Sequence, residues 1–87
     1  MRDEELRQRT EALRSRATPE VLEEAVLTLR QQGEDVGGGV NADRLVRHLL
    51  EDPQLRDEDV VWAYDRLKPA FRAAFEENPS FYYFEGD

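Results

Sequence analysis

Apolar residues recur at intervals of three and four in three stretches of this sequence, and each stretch ends at a glycine or a proline. The stretches finish at Gly33, Pro53 and Pro79. This spacing places apolar side chains along one side of an α-helix, and the breakers separate one helix from the next. A length of 87 residues is enough for one small hydrophobic core. We therefore expect a mainly α-helical fold of four helices, with residues 1–87 forming a single small domain.

The second and third helices carry clear start signals. Thr18 is suited to cap the second helix and Pro19 to begin it, and Asn41 is suited to cap the third, which we expect to reach about Glu51. The residues predicted to be buried are Val21, Leu22, Ala25, Val26 and Leu29 in the second helix, and Ala42, Leu45, Val46, Leu49 and Leu50 in the third. The polar side of the third helix is formed by Asp43, Arg44, Arg47, His48 and Glu51.

The N-terminal segment, residues 1–16, is predicted to be a charged helix with a thin apolar stripe. Only Leu6, Leu13 and Ala17 form that stripe, with Thr10 between them. So narrow a stripe holds a helix weakly, because most helical stability in proteins comes from the packing of an apolar face. We expect this helix either to fray or to rest at the periphery against a neighbour.

The fourth helix contains a proline within its apolar pattern. Asp57 is suited to cap it, and Pro69 removes one backbone hydrogen bond and crowds the preceding turn. The helix is therefore expected either to kink at Pro69 or to break there. The residues predicted to face the core are Val60, Tyr64, Leu67, Phe71, Ala74 and Phe75.

A short aromatic segment, residues 81–84, follows the fourth helix. All eight aromatic residues of the chain lie between Trp62 and Phe84. Aromatic side chains favour extended backbone, but four residues need a partner strand. The nearest candidate partner is the stretch 36–40, so we expect a short C-terminal extended segment that pairs there.

The order of these elements over residues 20–85 resembles a winged helix-turn-helix domain. The resemblance rests on element order alone: helix, short extended stretch, two helices and an aromatic strand. It implies DNA recognition by the third of those helices. The outward side of that helix, however, offers Glu58, Asp59, Trp62, Asp65 and Arg66, which is a poor surface to lie beside phosphates.

The residue types that support catalysis are scarce. The chain has one histidine, His48, two serines, Ser15 and Ser80, and no cysteine. Nucleophilic catalysis needs a nucleophile, a base and an orienting group, and no spacing here predicts that arrangement. The carboxylates adjoin one another on helical stretches and lack the pattern of a calcium-binding loop. We expect no enzymatic activity, no cofactor and no metal site.

The charge distribution bears on the class of partner. The net charge of −8 divides into +1 over residues 1–16, −3 over 17–50 and −6 over 51–87. Such a chain is repelled by nucleic acid and by anionic membranes. No apolar run is long enough to cross a bilayer. We therefore expect a cytoplasmic protein whose partner is a protein with a basic or apolar surface, or a second copy of this chain.

Trp62 is the residue that most favours a binding role. Helical spacing places it nearly opposite the predicted core side of the fourth helix, with Arg66 alongside and Pro69 and Ala73 on the same stripe. Tryptophan and arginine are enriched at interface anchors. The predicted partner-binding residues are Trp62, Arg66, Pro69, Ala73, Tyr82 and Phe84. In the alternative, the tail or the first helix covers Trp62.

The sequence thus predicts a non-enzymatic, acidic interaction or regulatory module. Two alternatives stay open. One is a winged-helix transcriptional regulator that binds DNA through a basic surface. That surface would be assembled from Arg2, Arg7, Arg9, Arg14 and Arg16. The other is an acidic protein that mimics DNA and blocks a nucleic-acid-binding protein.

Overall fold

The second helix of the computed structural model begins and ends at local signals in the sequence. The structure describes residues 2–33, 35–36, 39–77 and 83–84. Helix α1 spans Asp3–Arg16 and α2 spans Pro19–Gln31. The Thr18 hydroxyl accepts the Val21 N–H at 3.3 Å. At the other end, Gly33 has a φ of 83°, a conformation that glycine adopts without steric cost. The predicted cap and stop of α2 are confirmed.

Helix α3 spans Ala42–Leu49 and is slightly shorter than predicted. The Asn41 side chain accepts the Asp43 N–H at 2.8 Å, which confirms the predicted cap. Past the helix end, the Glu51 and Asp52 N–H groups return to the His48 and Arg47 carbonyls, at 3.1 and 3.0 Å. Glu51 has a φ of 58°, in the left-handed region. This is a Schellman ending with glutamate where glycine is usual, at a cost of about 1–2 kcal/mol.

Helix α4 spans Asp57–Glu77 and runs through Pro69 without interruption. The predicted break is therefore wrong, while a bend at Pro69 stays a prediction. Asp57 is the first helical residue rather than the residue before the helix. Its carboxylate binds Arg47 Nη2 at 2.8 Å.

A three-stranded sheet holds the short extended segments together. Strand β1 is Asp35–Val36, β2 is Gly39–Asn41 and β3 is Tyr83–Phe84. β1 and β2 pair antiparallel, and β2 pairs parallel with β3, with Val40 opposite Tyr83. The expected pairing of the aromatic segment with the stretch before α3 is confirmed at the backbone of these residues.

Helix α4 is the centre of the described core and contacts α1, α2 and α3. Its buried residues differ from the predicted set. Tyr64 is only half-buried and Phe75 keeps 42% of its surface, whereas Asp59 and Ala63 are buried. The buried arc is thus turned toward α1. The largest fully buried side chains are Phe71, Leu22, Leu45, Leu67, Val26, Val40, Val46, Val60 and Thr10.

Two further corrections concern α2 and α3. Val21 was predicted to be buried but is exposed at the edge of α2. Arg47 was assigned to the polar side of α3, yet only 17% of its side chain is exposed. Its Nε and Nη2 donate to the Leu55 carbonyl at 3.1 and 3.0 Å. Arg47 therefore fixes the turn between α3 and α4, because it satisfies a backbone acceptor that no helix serves.

Helix α1 rests on α4 rather than fraying away from it. Leu6, Thr10 and Leu13 are buried, as the thin stripe predicts. Ala17 is half-buried and packs against the core cluster. On the outer side, Glu5 pairs with Arg9 at 2.8 Å. Arg9 Nη1 also donates to the Leu50 carbonyl at 3.2 Å, which ties α1 to the end of α3.

Thr10 predicts a measurable gain in stability on substitution. Within the described residues its Oγ1 is buried without a hydrogen-bond partner. Thr10→Val keeps the shape and removes the unsatisfied hydroxyl, so we expect the free energy of unfolding to rise by about 1 kcal/mol. Thr10→Ser keeps the hydroxyl and loses a buried methyl group, so it should cost about 1 kcal/mol. Urea denaturation followed by circular dichroism measures both, and a destabilised Thr10→Val variant would contradict the assignment.

Candidate functional site

Trp62 lies in the second turn of α4 and is half-buried at the edge of the core. Helical spacing predicts a position nearly opposite the core, whereas the structure places Trp62 at the edge of the core and half-buried. Leu6 and Arg7 of α1 line the same groove, of about 330 Å³, as Trp62. The first helix and Trp62 therefore flank one groove, and part of the indole is open to solvent.

Arg66 is positioned directly over the indole. Its guanidinium carbon lies 3.8 Å from the Trp62 ring centroid, and its Nη1 donates to the Trp62 carbonyl at 3.3 Å. The two residues are one helical turn apart, so the helix itself brings them together. A cation–π contact of this kind contributes about 0.5–1 kcal/mol at a partly exposed site. The pairing of Trp62 with Arg66 forms a rigid, amphipathic unit on the surface.

The rest of the predicted stripe follows along α4. Pro69 and Ala73 are exposed on the following two turns. Tyr82 lies outside the described residues, and for Phe84 the structure describes the backbone in β3 but not the side chain. The described part of the predicted site is therefore one helix face. We define the α4 face as Trp62, Arg66, Pro69 and Ala73.

Val61 is exposed on a different side of α4 from the α4 face, and the sequence analysis missed it. It is 66% exposed, the largest exposure among the described large apolar residues. A helical wheel centred on Leu67 would have placed Val61 toward solvent, because the two residues are separated by about 120° at 100° per residue. Adjacent helical residues are about 100° apart, so this exposed valine is not part of the surface around Trp62.

Three carboxylates line the groove beside Trp62, and all three lie close to the guanidinium of Arg56. Arg56 Nε and Nη2 donate to the Asp59 carboxylate at 3.0 and 3.3 Å. Its Nη1 lies 3.3 Å from Glu58, and Nη2 lies 3.9 Å from Asp3. The hydrogen bond and charge of Asp59, followed by the charge of Glu58, raise the pKa of Arg56 above its ordinary value. Arg56 thus stays charged and offsets the burial of Asp59.

The residue types associated with catalysis lie apart within the described structure. His48 is half-buried on α3, in a groove with Arg44 and Arg47. Ser15 is on α1, where its hydroxyl donates to the Glu11 carbonyl at 3.4 Å. Ser80 lies outside the described residues. Among the residues that are described, no group of three or more histidines or carboxylates is arranged to hold a metal ion.

Across residues 2–33, 35–36, 39–77 and 83–84, no helix combines the length and apolar character needed to span a bilayer. The chain matches no protein-family model, no curated protein and no solved structure. The resemblance to a winged helix-turn-helix therefore stays a prediction from element order.

Proposed function

We propose that this protein is a non-enzymatic interaction module that binds a protein partner through the α4 face. The observation that carries the proposal is the stacking of Arg66 over a half-exposed Trp62, at 3.8 Å. Tryptophan and arginine are enriched among the residues that contribute most of the binding energy at interfaces. Exposed Pro69 and Ala73 supply apolar surface on the same side of α4 as this pair.

The charges around the α4 face define the partner. Glu58, Asp65 and Glu76 are exposed on the same helix, and residues 51–87 carry a net charge of −6. A second copy of the chain would bring like charges together, whereas a basic surface would be attracted. The partner we propose therefore presents an apolar centre with basic residues around it.

DNA binding, the principal alternative, is less well supported by the described surface. Of the five arginines of residues 1–16, Arg9 is paired with Glu5 at 2.8 Å, and Arg14 lies 3.9 Å from Glu11. Phosphate contacts would have to compete with these carboxylates, and the net charge of the chain adds repulsion. These pairs favour a protein partner over nucleic acid.

Trp62→Ala tests the balance between folding and binding at the α4 face. Because the indole is half-buried, we expect the free energy of unfolding to fall by about 1–2 kcal/mol, less than the 3–5 kcal/mol of a fully buried tryptophan. Acrylamide should quench the Trp62 fluorescence only in part, since the core cluster and Arg66 cover portions of the ring. Complete shielding from acrylamide, together with a cost above about 3 kcal/mol, would remove Trp62 from the proposed contact surface.

The binding experiment uses a variant that leaves the fold intact. Ala73→Arg places a bulky cation on the exposed α4 face, and arginine is a good helix former. The tagged wild-type protein and the variant are used to capture partners from the native host. Leu27→Arg, at an exposed position of α2, is the matched control. We expect a basic protein to be retained by the wild type and by Leu27→Arg but lost with Ala73→Arg.

Three outcomes would overturn this assignment. Equal capture by wild type and Ala73→Arg would move the contact surface away from α4. A concentration-dependent dimer of the wild type in sedimentation, abolished by Ala73→Arg, would make a second copy the occupant of this face. Selective retardation of duplex DNA at physiological salt would favour the regulator instead.

A further inference from the structure

A groove of about 360 Å³ lies where the end of α2 meets α3 and the turn that follows α3. It is separate from the α4 face and plays no part in the function proposed above. Two arginines of α3 and two carboxylates of the turn line it, so the lining carries both signs of charge. Two apolar side chains, one at the end of α2 and one after the turn, also line the groove. The lining residues used below are Leu29, Arg44, Arg47, His48, Glu51, Asp52 and Pro53.

Arg47 is a pre-positioned donor in this groove. Three hydrogen bonds hold its Nε and Nη2, two to the Leu55 carbonyl and one to Asp57 at 2.8 Å. None of these bonds uses Nη1. Because the guanidinium is already immobilised by the fold, a ligand that accepts from Nη1 does not have to order a flexible side chain.

Glu51 supplies a carboxylate at a position where the backbone favours glycine. Its φ of 58° lies in the left-handed region, at the end of α3. The helix ending is completed by the backbone N–H groups of Glu51 and Asp52, not by the glutamate side chain. Non-glycine residues in this conformation are concentrated at functional sites. The described ending of α3 therefore uses the backbone of Glu51, and its carboxylate lines the groove.

We propose that this groove binds a small zwitterion of the α-amino-acid class with an apolar side chain. The ligand's carboxylate meets Arg47 and its ammonium meets Glu51. Two guanidiniums and two carboxylates line the groove, so the charges balance. A simple anion would be opposed by Glu51 and Asp52, and a simple cation by the arginines.

Size and polarity agree with this ligand class. Pockets for small molecules occupy about 300–1,000 Å³ and combine apolar walls with a few polar groups. Leu29 is buried at the end of α2, and Pro53 follows the turn, and both line the groove. They provide the surface on which an aliphatic side chain would lie.

The first experiment compares three probes that differ by one charged group. Leucine carries both charges, 4-methylpentanoate lacks the ammonium group, and 3-methylbutylamine lacks the carboxylate. His48 is the single histidine of the chain, so its ring signals in NMR report on the groove without assignment ambiguity. We expect saturable shifts with leucine and binding at least about tenfold weaker with each analogue, as the loss of one charge-assisted contact predicts.

Two variants of Glu51 make the result independent of folding. Glu51→Gly relieves the left-handed backbone, and Glu51→Gln keeps the backbone and removes the charge. Both should weaken leucine binding about tenfold. Binding of 4-methylpentanoate should become stronger, not weaker, because the carboxylate that opposes an anion is gone. Glu24→Gln, on the exposed side of α2, is the matched control and should bind leucine as the wild type does.

Several outcomes would overturn the proposal. They are the absence of saturable His48 shifts with leucine, equal binding of leucine and 4-methylpentanoate, and unchanged leucine affinity in both Glu51 variants. Because the readout is ligand binding by the isolated chain, none of these results bears on the partner proposed for the α4 face.

Discussion

Phe71→Ala is expected to lower the free energy of unfolding by about 3–5 kcal/mol. Phe71 is fully buried in α4, the helix that contacts the other three, and its ring centroid lies 5.8 Å from that of Tyr64. Removing the ring leaves a cavity at the point where the helices meet, and neighbouring side chains can fill it only in part. Urea denaturation monitored by circular dichroism measures the loss.

Phe75→Ala is the matched control for this prediction. Phe75 keeps 42% of its surface exposed in the same helix, so the same substitution should cost about 1 kcal/mol or less. Should Phe71→Ala fail to fold, Phe71→Leu retains most of the volume and is expected to cost about 1–1.5 kcal/mol. Equal losses at the two phenylalanines would contradict the described orientation of α4.

Pro69→Ala is expected to raise the free energy of unfolding by about 1–3 kcal/mol. Pro69 lies inside the continuous helix α4 and is exposed, so alanine restores a backbone donor and removes a steric clash without disturbing the core. Thermal and urea denaturation should both report the gain. The lower end of this range is below the about 3 kcal/mol that a proline inside a helix usually costs, because a bend in α4 would already relieve part of the clash.

Asp65→Ala separates this effect from helix propensity alone. Asp65 is exposed one turn before Pro69, and its replacement should stabilise α4 by no more than about 0.7 kcal/mol. A Pro69→Ala variant no more stable than Asp65→Ala would mean that α4 accommodates the proline without strain. Pro69 would then have no destabilising effect for a function to explain.

Local signals decided where α2 begins and ends and where α3 begins. Thr18 and Asn41 cap α2 and α3 as predicted, because a side-chain oxygen can satisfy an N–H only two or three residues away. The stop at Gly33 depends equally on neighbouring residues. Information of this kind lies within one turn of the chain, so it is readable without the fold.

The orientation of α4 could not be obtained in this way. The aromatic character of Tyr64 and Phe75 led to the prediction that both face the core. The structure buries Asp59 and Ala63 instead. Asp59 is buried beside α1 because Arg56 accompanies it, with an Nε–Oδ2 distance of 3.0 Å. A helical wheel assigns a carboxylate to the solvent-facing side, and it contains no information about which other helix packs against that side.

The candidate sites divide along the same line. Trp62, Arg66, Pro69 and Ala73 share one face because the helical repeat alone places them there, and the sequence by itself determined that grouping. Only the tertiary structure decided three features: the groove that Trp62 shares with α1, the hydrogen bonds from Arg47 to Leu55, and the groove containing Glu51. Each depends on elements that are distant along the chain, and burial and hydrogen bonding between such elements follow from packing rather than from any local pattern.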